Sequence, residues 1–271
     1  MQELLNHPAV QGGLAPFIVA LIVAELLQRM RLSGLAIIAG FAVTVYLASD
    51  FAIEPLTAAR KIVLLGLLSA VLALPLMLFS PRWVRPLLAV AGGGAAVWVM
   101  LRILQQQEVA PMLLWGAGSA LYVGWLVFWF DGLNDNSMRA GSAGMALGMG
   151  SGAAALFGAS ALLGQFGLAL GAAAGAYLLI QMLTNSPLPC GRSFTLPLSL
   201  IAGLSACLAV LTAELPWYAL AALAVIPVAA KIPLPAKQAL WLQSVLLSVV
   251  TLVCAAGAVY LTWRVAGAPP L

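Results

Sequence analysis

The chain has 271 residues, of which 63% are hydrophobic and only 7% are charged. A soluble globular protein carries about 25% charged residues, so this chain cannot cover a water-facing surface and is predicted to lie in a lipid bilayer. The basic excess, 12 Lys and Arg against 8 Asp and Glu, is small, so it indicates membrane topology rather than nucleic-acid binding.

The apolar segments predict an all-α integral membrane protein, because they are continuous and lack the two-residue alternation of a membrane β-barrel. Residues 1–271 are expected to form a single polytopic transmembrane domain, a bundle of about ten transmembrane helices with short loops. In chain order these are predicted at Leu14–Met30, Ser33–Ser49, Ile62–Ser80, Pro86–Leu104, Pro111–Phe130, Ala140–Leu163, Gly167–Thr184, Phe194–Ala213, Pro216–Ala230 and Gln238–Trp263. The ninth is short, and whether it spans the bilayer is left open.

Glu25 lies inside the first predicted helix, four residues before Arg29. An acid within a membrane helix is a candidate for carrying protons or contacting a cation. The alternative is that Glu25 pairs with Arg29 at the headgroup level, where an exposed ion pair contributes little. Glu25 stands only about one turn from the predicted end of the helix, which favours the alternative.

The segment 131–139 between the fifth and sixth helices is the most polar of the chain. Asp131 stands at a helix carboxyl end, where the helix dipole disfavours an anion, so we expect it to have a partner. Asp135, Asn136 or Ser137 could cap the sixth helix. A functional alternative is that Asp131, Asp135 and Arg139 form a cytoplasmic gate at the mouth of the sixth and seventh helices.

Glycines recur at four-residue spacing along the sixth and seventh predicted helices. They are Gly144, Gly148 and Gly152, then, after a break at 164–166, Gly167, Gly171 and Gly175. A glycine inside a helix costs roughly 0.5–1 kcal/mol relative to alanine, but in a membrane this spacing lets another helix approach closely. We therefore expect a glycine-rich helical hairpin at the centre of the bundle.

Gln181 is an amide within the seventh helix, and Gln165 and Gln243 are others near membrane depth. A buried amide without partners costs a few kcal/mol, so each should find one. For Gln181 that partner is either a polar substrate or a neighbouring helix.

The residues that usually carry catalysis are scarce. The three cysteines, Cys190, Cys207 and Cys254, have no CxxC spacing, so neither a disulfide framework nor a metal site is indicated. His7 is the only histidine, so no histidine base can activate Cys190. Without motifs for nucleophilic, metal or phosphate chemistry, the chain is not expected to be an enzyme, and no catalytic residue, metal or cofactor is expected.

The distribution of basic residues predicts the orientation. With the amino terminus outside, eight of the twelve fall on the inner side, namely Arg29, Arg31, Arg82, Arg85, Arg139, Arg192, Lys231 and Lys237. The protein is therefore expected to be a multi-pass protein of the cell inner (plasma) membrane with both termini non-cytoplasmic.

Two functions follow from these features. One is a permease or secondary transporter for a small solute or lipid-like molecule, with Glu25, Asp131, Asp135 and Gln181 as substrate or coupling candidates. The other is a non-catalytic integral subunit of a membrane complex, which the scarcity of buried charge favours. The expected partners are the lipid bilayer and either further copies of the chain or other membrane subunits; no nucleic acid is expected.

Overall fold

The computed structural model describes residues 7–49, 51, 54–78, 81, 83–158, 160–213, 215–234 and 239–266. Over these ranges the chain is all-helical and has no β-strand. Its α-helices are α1 (Ala15–Leu27), α2 (Ala36–Ser49), α3 (Ala58–Leu78), α4 (Val84–Leu104), α5 (Val109–Asp131), α6 (Ser137–Phe157), α7 (Ala161–Thr184), α8 (Arg192–Thr212), α9 (Trp217–Ala229) and α10 (Leu240–Ala266). A π-helical turn, Val10–Leu14, precedes α1, and short 3-10 turns lie between α1 and α2.

Seven helices in these ranges are long and apolar enough to cross a membrane: α3, α4, α5, α7, α8, α10 and the continuous segment Val10–Met30 that contains α1. The helices α2 and α9 are apolar but shorter. Glycine and serine lower the hydropathy of α6, which is not one of the seven. The fold is thus all-α and compatible with a membrane helical bundle, while the count of ten crossings stays a prediction.

The helix α8 is the most buried of the seven. Of its most apolar segment 89% is buried, compared with 28% for α10. It contacts α3, α5, α6 and α7. The core of the bundle is therefore built around α8, for which the sequence predicted no special position.

The break between α6 and α7 lies earlier than the sequence predicted. The chain turns near Gly158 and Ser160, and α7 runs without interruption through 164–166. At Gly164 a Cβ would lie 3.2 Å from the carbonyl oxygen of Gly152, so this glycine permits close helix packing. The predicted break was wrong because a glycine that serves packing was interpreted as a turn.

The start of α3 also differs from the prediction. It begins at Ala58 rather than Ile62, which places Arg60 and Lys61 inside the helix. The Lys61 ammonium donates a hydrogen bond to the carbonyl oxygen of Trp98 at 2.9 Å. This contact allows a charged residue to enter the helix, and no sequence pattern indicated it.

Basic residues from separate helices meet at one end of the bundle. Arg85 at the start of α4 donates to the Phe128 carbonyl near the end of α5 at 2.7 Å. Arg139 near the start of α6 donates to the carbonyl of Ala230, which follows α9. Arg192 begins α8 and lies against α5. We call this the basic end, and which side of the membrane it faces stays a prediction.

Candidate functional site

Asp131 is held in a buried ion pair at the basic end. Arg192 Nε donates to Asp131 Oδ1 at 2.7 Å and Nη2 approaches Oδ2 at 3.4 Å. Arg192 Nη1 also donates to the Leu76 carbonyl of α3 at 3.0 Å. Both side chains of the pair are at most 6% exposed. The partner that the helix dipole predicted for Asp131 is therefore Arg192, and the pair ties together α3, α5 and α8.

Glu25 and Asp135 are both exposed. Gln28 Nε2 donates to Glu25 Oε1 at 2.7 Å, and no salt bridge joins Glu25 to Arg29, both of which the structure describes. The 3-10 turn at Gln28–Met30 explains this, because it takes Arg29 out of the α-helical register in which the pair was predicted. The structure does not bring Glu25 or Asp135 into the buried pair.

Gln181 is fully buried between α7 and α6. Its Oε1 accepts a hydrogen bond from Ser137 Oγ at 2.6 Å, and its Nε2 donates to the Tyr177 carbonyl at 3.4 Å. Asn136 is the residue that caps α6, since its Oδ1 accepts from Arg139 N at 3.1 Å. The Gln181 side chain thus bonds to the neighbouring helix α6, which is the second of the two alternatives given for it above.

The glycines of α6 and α7 differ in what they contact. A Cβ on Gly148 would lie 2.6 Å from Gly171 Cα, and one on Gly167 would lie 2.5 Å from Gly152 Cα. At these four positions the two helix backbones leave no room for a side chain. The two outer glycines differ: Gly144 faces Leu198 of α8, and Gly175 has only an ordinary contact with Met145 at 3.5 Å.

Cys190 is buried in the loop before α8. Burial raises the pKa of its thiol, and Asp135 raises it further, against a lowering by a hydrogen bond with Tyr177. The thiol therefore stays protonated at neutral pH, which argues against nucleophilic chemistry here.

A cavity of about 510 Å³ lies between α5, α8 and α9. Its walls are largely apolar and include Trp115 and Trp217, and its polar members are Ser119, Tyr122 and Cys207. Ligand sites typically have volumes of about 300–1,000 Å³ and combine apolar walls with a few polar groups. We call it the Tyr122 cavity.

The hydroxyl of Tyr122 is the unusual feature of this cavity. Tyr122 lies near the middle of α5 and the side chain is 9% exposed. Its hydroxyl is buried and has no hydrogen-bond partner among the described residues. Leaving such a group unpaired costs about 1–3 kcal/mol. A ligand in the cavity with a hydrogen-bonding group would remove that cost.

Sequence reasoning missed the Tyr122 cavity. Ser119 and Tyr122 stand three residues apart on one face of an apolar helix, which is the available signal. Cys207 completes the polar group from α8, and the contact between α5 and α8 is a property of the tertiary fold.

Comparisons of the chain with protein-family models, curated protein sequences and solved structures found no match. In the part of the chain that the structure describes, no three His, Cys, Asp or Glu residues are grouped to hold a metal ion. The functional interpretation therefore depends on geometry.

Proposed function

We propose that the protein is a membrane permease or secondary transporter for a lipid-like molecule that binds in the Tyr122 cavity. The observation that carries this proposal is the unpaired Tyr122 hydroxyl, buried near mid-helix in a cavity of ligand size. Transporter sites near the middle of the membrane fit this position.

The chemistry of the lining defines the substrate class. Ser119, Tyr122 and Cys207 are neutral, and each can donate or accept a hydrogen bond. A charged substrate would lose its hydration there without an opposite charge to replace it. The substrate we propose is therefore an apolar molecule with one neutral hydrogen-bonding group, such as a hydroxyl or a carbonyl.

Two features support movement around the cavity. The helix α9, which forms one wall, contains Pro227, and proline removes a backbone hydrogen bond from the helix interior. At the basic end, the Asp131–Arg192 pair joins α3, α5 and α8, so separating these helices requires the pair to open. In this proposal α9 moves to admit the substrate, and Asp131 belongs to a gate.

Comparing small molecules that co-purify with variants tests the proposal. The native chain, Tyr122→Phe and Gly118→Trp would be purified in a gentle detergent, and their bound compounds compared by mass spectrometry. Tyr122→Phe deletes the hydroxyl. Gly118→Trp fills the cavity from a position where no described atom lies within 4 Å of a Cβ. We expect one compound to fall about tenfold in both variants, as loss of a buried hydrogen bond allows.

The control is Tyr260→Phe, which changes an exposed tyrosine on α10. Counterflow of the identified compound in vesicles containing the purified protein then tests transport itself. Equal amounts of every co-purifying compound in the native chain and the variants would contradict the proposed binding site. A compound that binds but does not cross the bilayer would contradict the proposed transport function.

Tyr122→Phe should also leave the protein at least as stable as the native chain in the absence of ligand, because it removes an unpaired buried hydroxyl. A thermal unfolding midpoint that falls in this variant would instead indicate a structural role for the hydroxyl.

The second candidate is an integral subunit of a membrane complex. Gly94 on α4 and Gly257 on α10 have no atom of the described residues within 4 Å of a Cβ position, so small residues face outward where another helix could pack. Native mass determination from gentle detergent separates the candidates: stoichiometric partner chains favour the subunit, and a lone or self-paired chain favours the transporter.

A further inference from the structure

An apolar groove of about 760 Å³ runs between α4 and α5 on the outer surface of the bundle. It extends along α4 from Pro86 near the basic end to Val97, and Gly93, Gly94 and Gly124 contribute to its lining. From Pro86 to Val97 the helix rises about 16 Å, close to half of the hydrocarbon core of a bilayer, which is about 30 Å thick. The groove therefore has the length of one lipid leaflet.

Cations stand where the groove reaches the basic end. The Arg85 guanidinium lies 3.8 Å from the ring centroid of Phe128, and Lys231 Nζ lies 4.3 Å from that of Trp129. Phe128 and Trp129 are themselves walls of the groove. Arg85 Nη2 and Lys231 Nζ would lie 2.8 and 3.0 Å from a Cβ on Gly132, so the two cations are close neighbours.

None of the described acidic residues pairs with these positive charges. No salt bridge involves Arg85, Arg139 or Lys231 in the ranges that the structure describes. Asp131 is paired with Arg192, and Asp135 is exposed. Burial lowers the pKa of Lys231, and the nearby Arg85 and Arg139 lower it further.

A further donor lies in the same wall. The indole Nε1–H of Trp129 is buried and finds no hydrogen-bond acceptor in the part of the chain that the structure describes. Phosphate and ester oxygens are acceptors that suit both the cations and the indole. The groove and its basic end thus pair an apolar channel with groups that bind anions.

We infer that the α4–α5 groove is a specific site for an anionic phospholipid of the surrounding bilayer, with an acyl chain along the groove and the phosphate at Arg85, Lys231 and Arg139. Basic residues between membrane helices attract anionic headgroups, and aromatic residues at the interface hold the glycerol region. A free phosphate would use the cations but leave the groove empty. The site is separate from the Tyr122 cavity and does not depend on the proposed function.

Native mass spectrometry of the full chain tests the inference. Phosphatidylglycerol and phosphatidylcholine with identical acyl chains would be added in equal amounts to the protein in detergent. We expect one phosphatidylglycerol to stay bound under activation that removes phosphatidylcholine. The double variant Arg85→Gln, Lys231→Gln should reduce this preference by about fivefold or more, because each surface cation contributes to anionic-lipid attraction.

Four further variants separate the effect of charge from that of the groove. Arg85→Lys keeps the charge and should keep the preference, whereas Arg102→Gln removes a cation from the other end of α4 and should change nothing. Gly94→Leu should weaken retention of both lipids by filling the groove, while Gly257→Leu, which has equally open space, should not. Unchanged unfolding midpoints without added lipid would show that the variants fold.

Three results would overturn the inference. The first is equal retention of both lipids by the native chain, and the second is an unchanged preference in the double variant. The third is loss of the lipid adduct in millimolar inorganic phosphate, which would show that the cations bind phosphate without a tail.

Discussion

Arg192 and Asp131 form a charged pair that the protein keeps away from water, with both side chains at most 6% exposed. Such a pair is not by itself strongly stabilising, because removing two charges from water offsets most of their attraction. Removing one member of the pair is strongly destabilising, since the other charge is left buried without its partner. The bond from Arg192 to the Leu76 carbonyl adds a third helix to the contact.

Asp131→Asn should therefore destabilise the protein by about 3–5 kcal/mol, the cost of leaving a buried charge unpaired. The measurement is the thermal aggregation midpoint of the purified variant in detergent. Asp135→Asn is the matched control, because Asp135 is exposed and its substitution should have little effect.

The double variant Asp131→Asn, Arg192→Gln tests the mechanism. It removes both charges and should be more stable than Asp131→Asn alone, as expected for coupled residues. If the loss of stability in the double variant equalled the sum of the losses in Asp131→Asn and Arg192→Gln, the two residues would not be energetically coupled.

At the scale of secondary-structure elements, α6 and α7 form the close helix contact that the glycines permit. Gly148 and Gly152 meet Gly167 and Gly171, and the backbones approach so closely that a Cβ would meet main-chain atoms. Main-chain atoms cannot move aside as a flexible side chain can. The hydrogen bond from Ser137 to Gln181 joins the same two helices nearer the basic end.

Gly148→Leu and Gly171→Leu should each lower stability by about 1–3 kcal/mol or more, because overpacking here forces the two helices apart. Gly175→Leu should be much milder, since among the described residues a Cβ at that position contacts just the flexible side chain of Met145. Thermal aggregation of the purified variants gives the comparison. Similar losses at all three positions would show that the contact surface does not depend on these glycines.

At the scale of the whole molecule, the basic end gathers charged residues from helices that are far apart in the chain. Arg85, Arg139, Lys231 and the Asp131–Arg192 pair lie there together, at or next to the ends of α4, α5, α6, α8 and α9. The positive-inside rule then predicts that this end faces the cytoplasm.

Labelling of single cysteines with an impermeant thiol reagent tests this orientation. In a chain whose native cysteines are replaced by alanine, His7→Cys should react in intact cells, whereas Asp135→Cys should react only after permeabilisation. Both positions are exposed. They lie toward opposite ends of the bundle, because His7 precedes the long segment Val10–Met30, whereas Ser33 beyond that segment bonds to the Pro189 carbonyl, in the loop that contacts Asn134. Labelling of Asp135→Cys from outside intact cells would reverse the orientation.

The sequence by itself determined that the chain is all-helical and suited to a membrane. Composition suffices for this, because a chain with 7% charged residues has too few of them to face water. It also indicated a partner for Asp131 from the helix dipole, but could not identify Arg192, which follows 61 positions later.

Only the tertiary structure decided which groups meet. The burial of α8, the pairing of Gln181 with Ser137 and the Tyr122 cavity all depend on contacts between helices far apart in the chain. Helix periodicity shows which residues share a face but not which helix that face meets, and in lipid the apolar pattern is nearly uniform around each helix. For that reason the buried hydroxyl of Tyr122 and the proximity of Arg85 to Lys231 became visible only in the folded bundle.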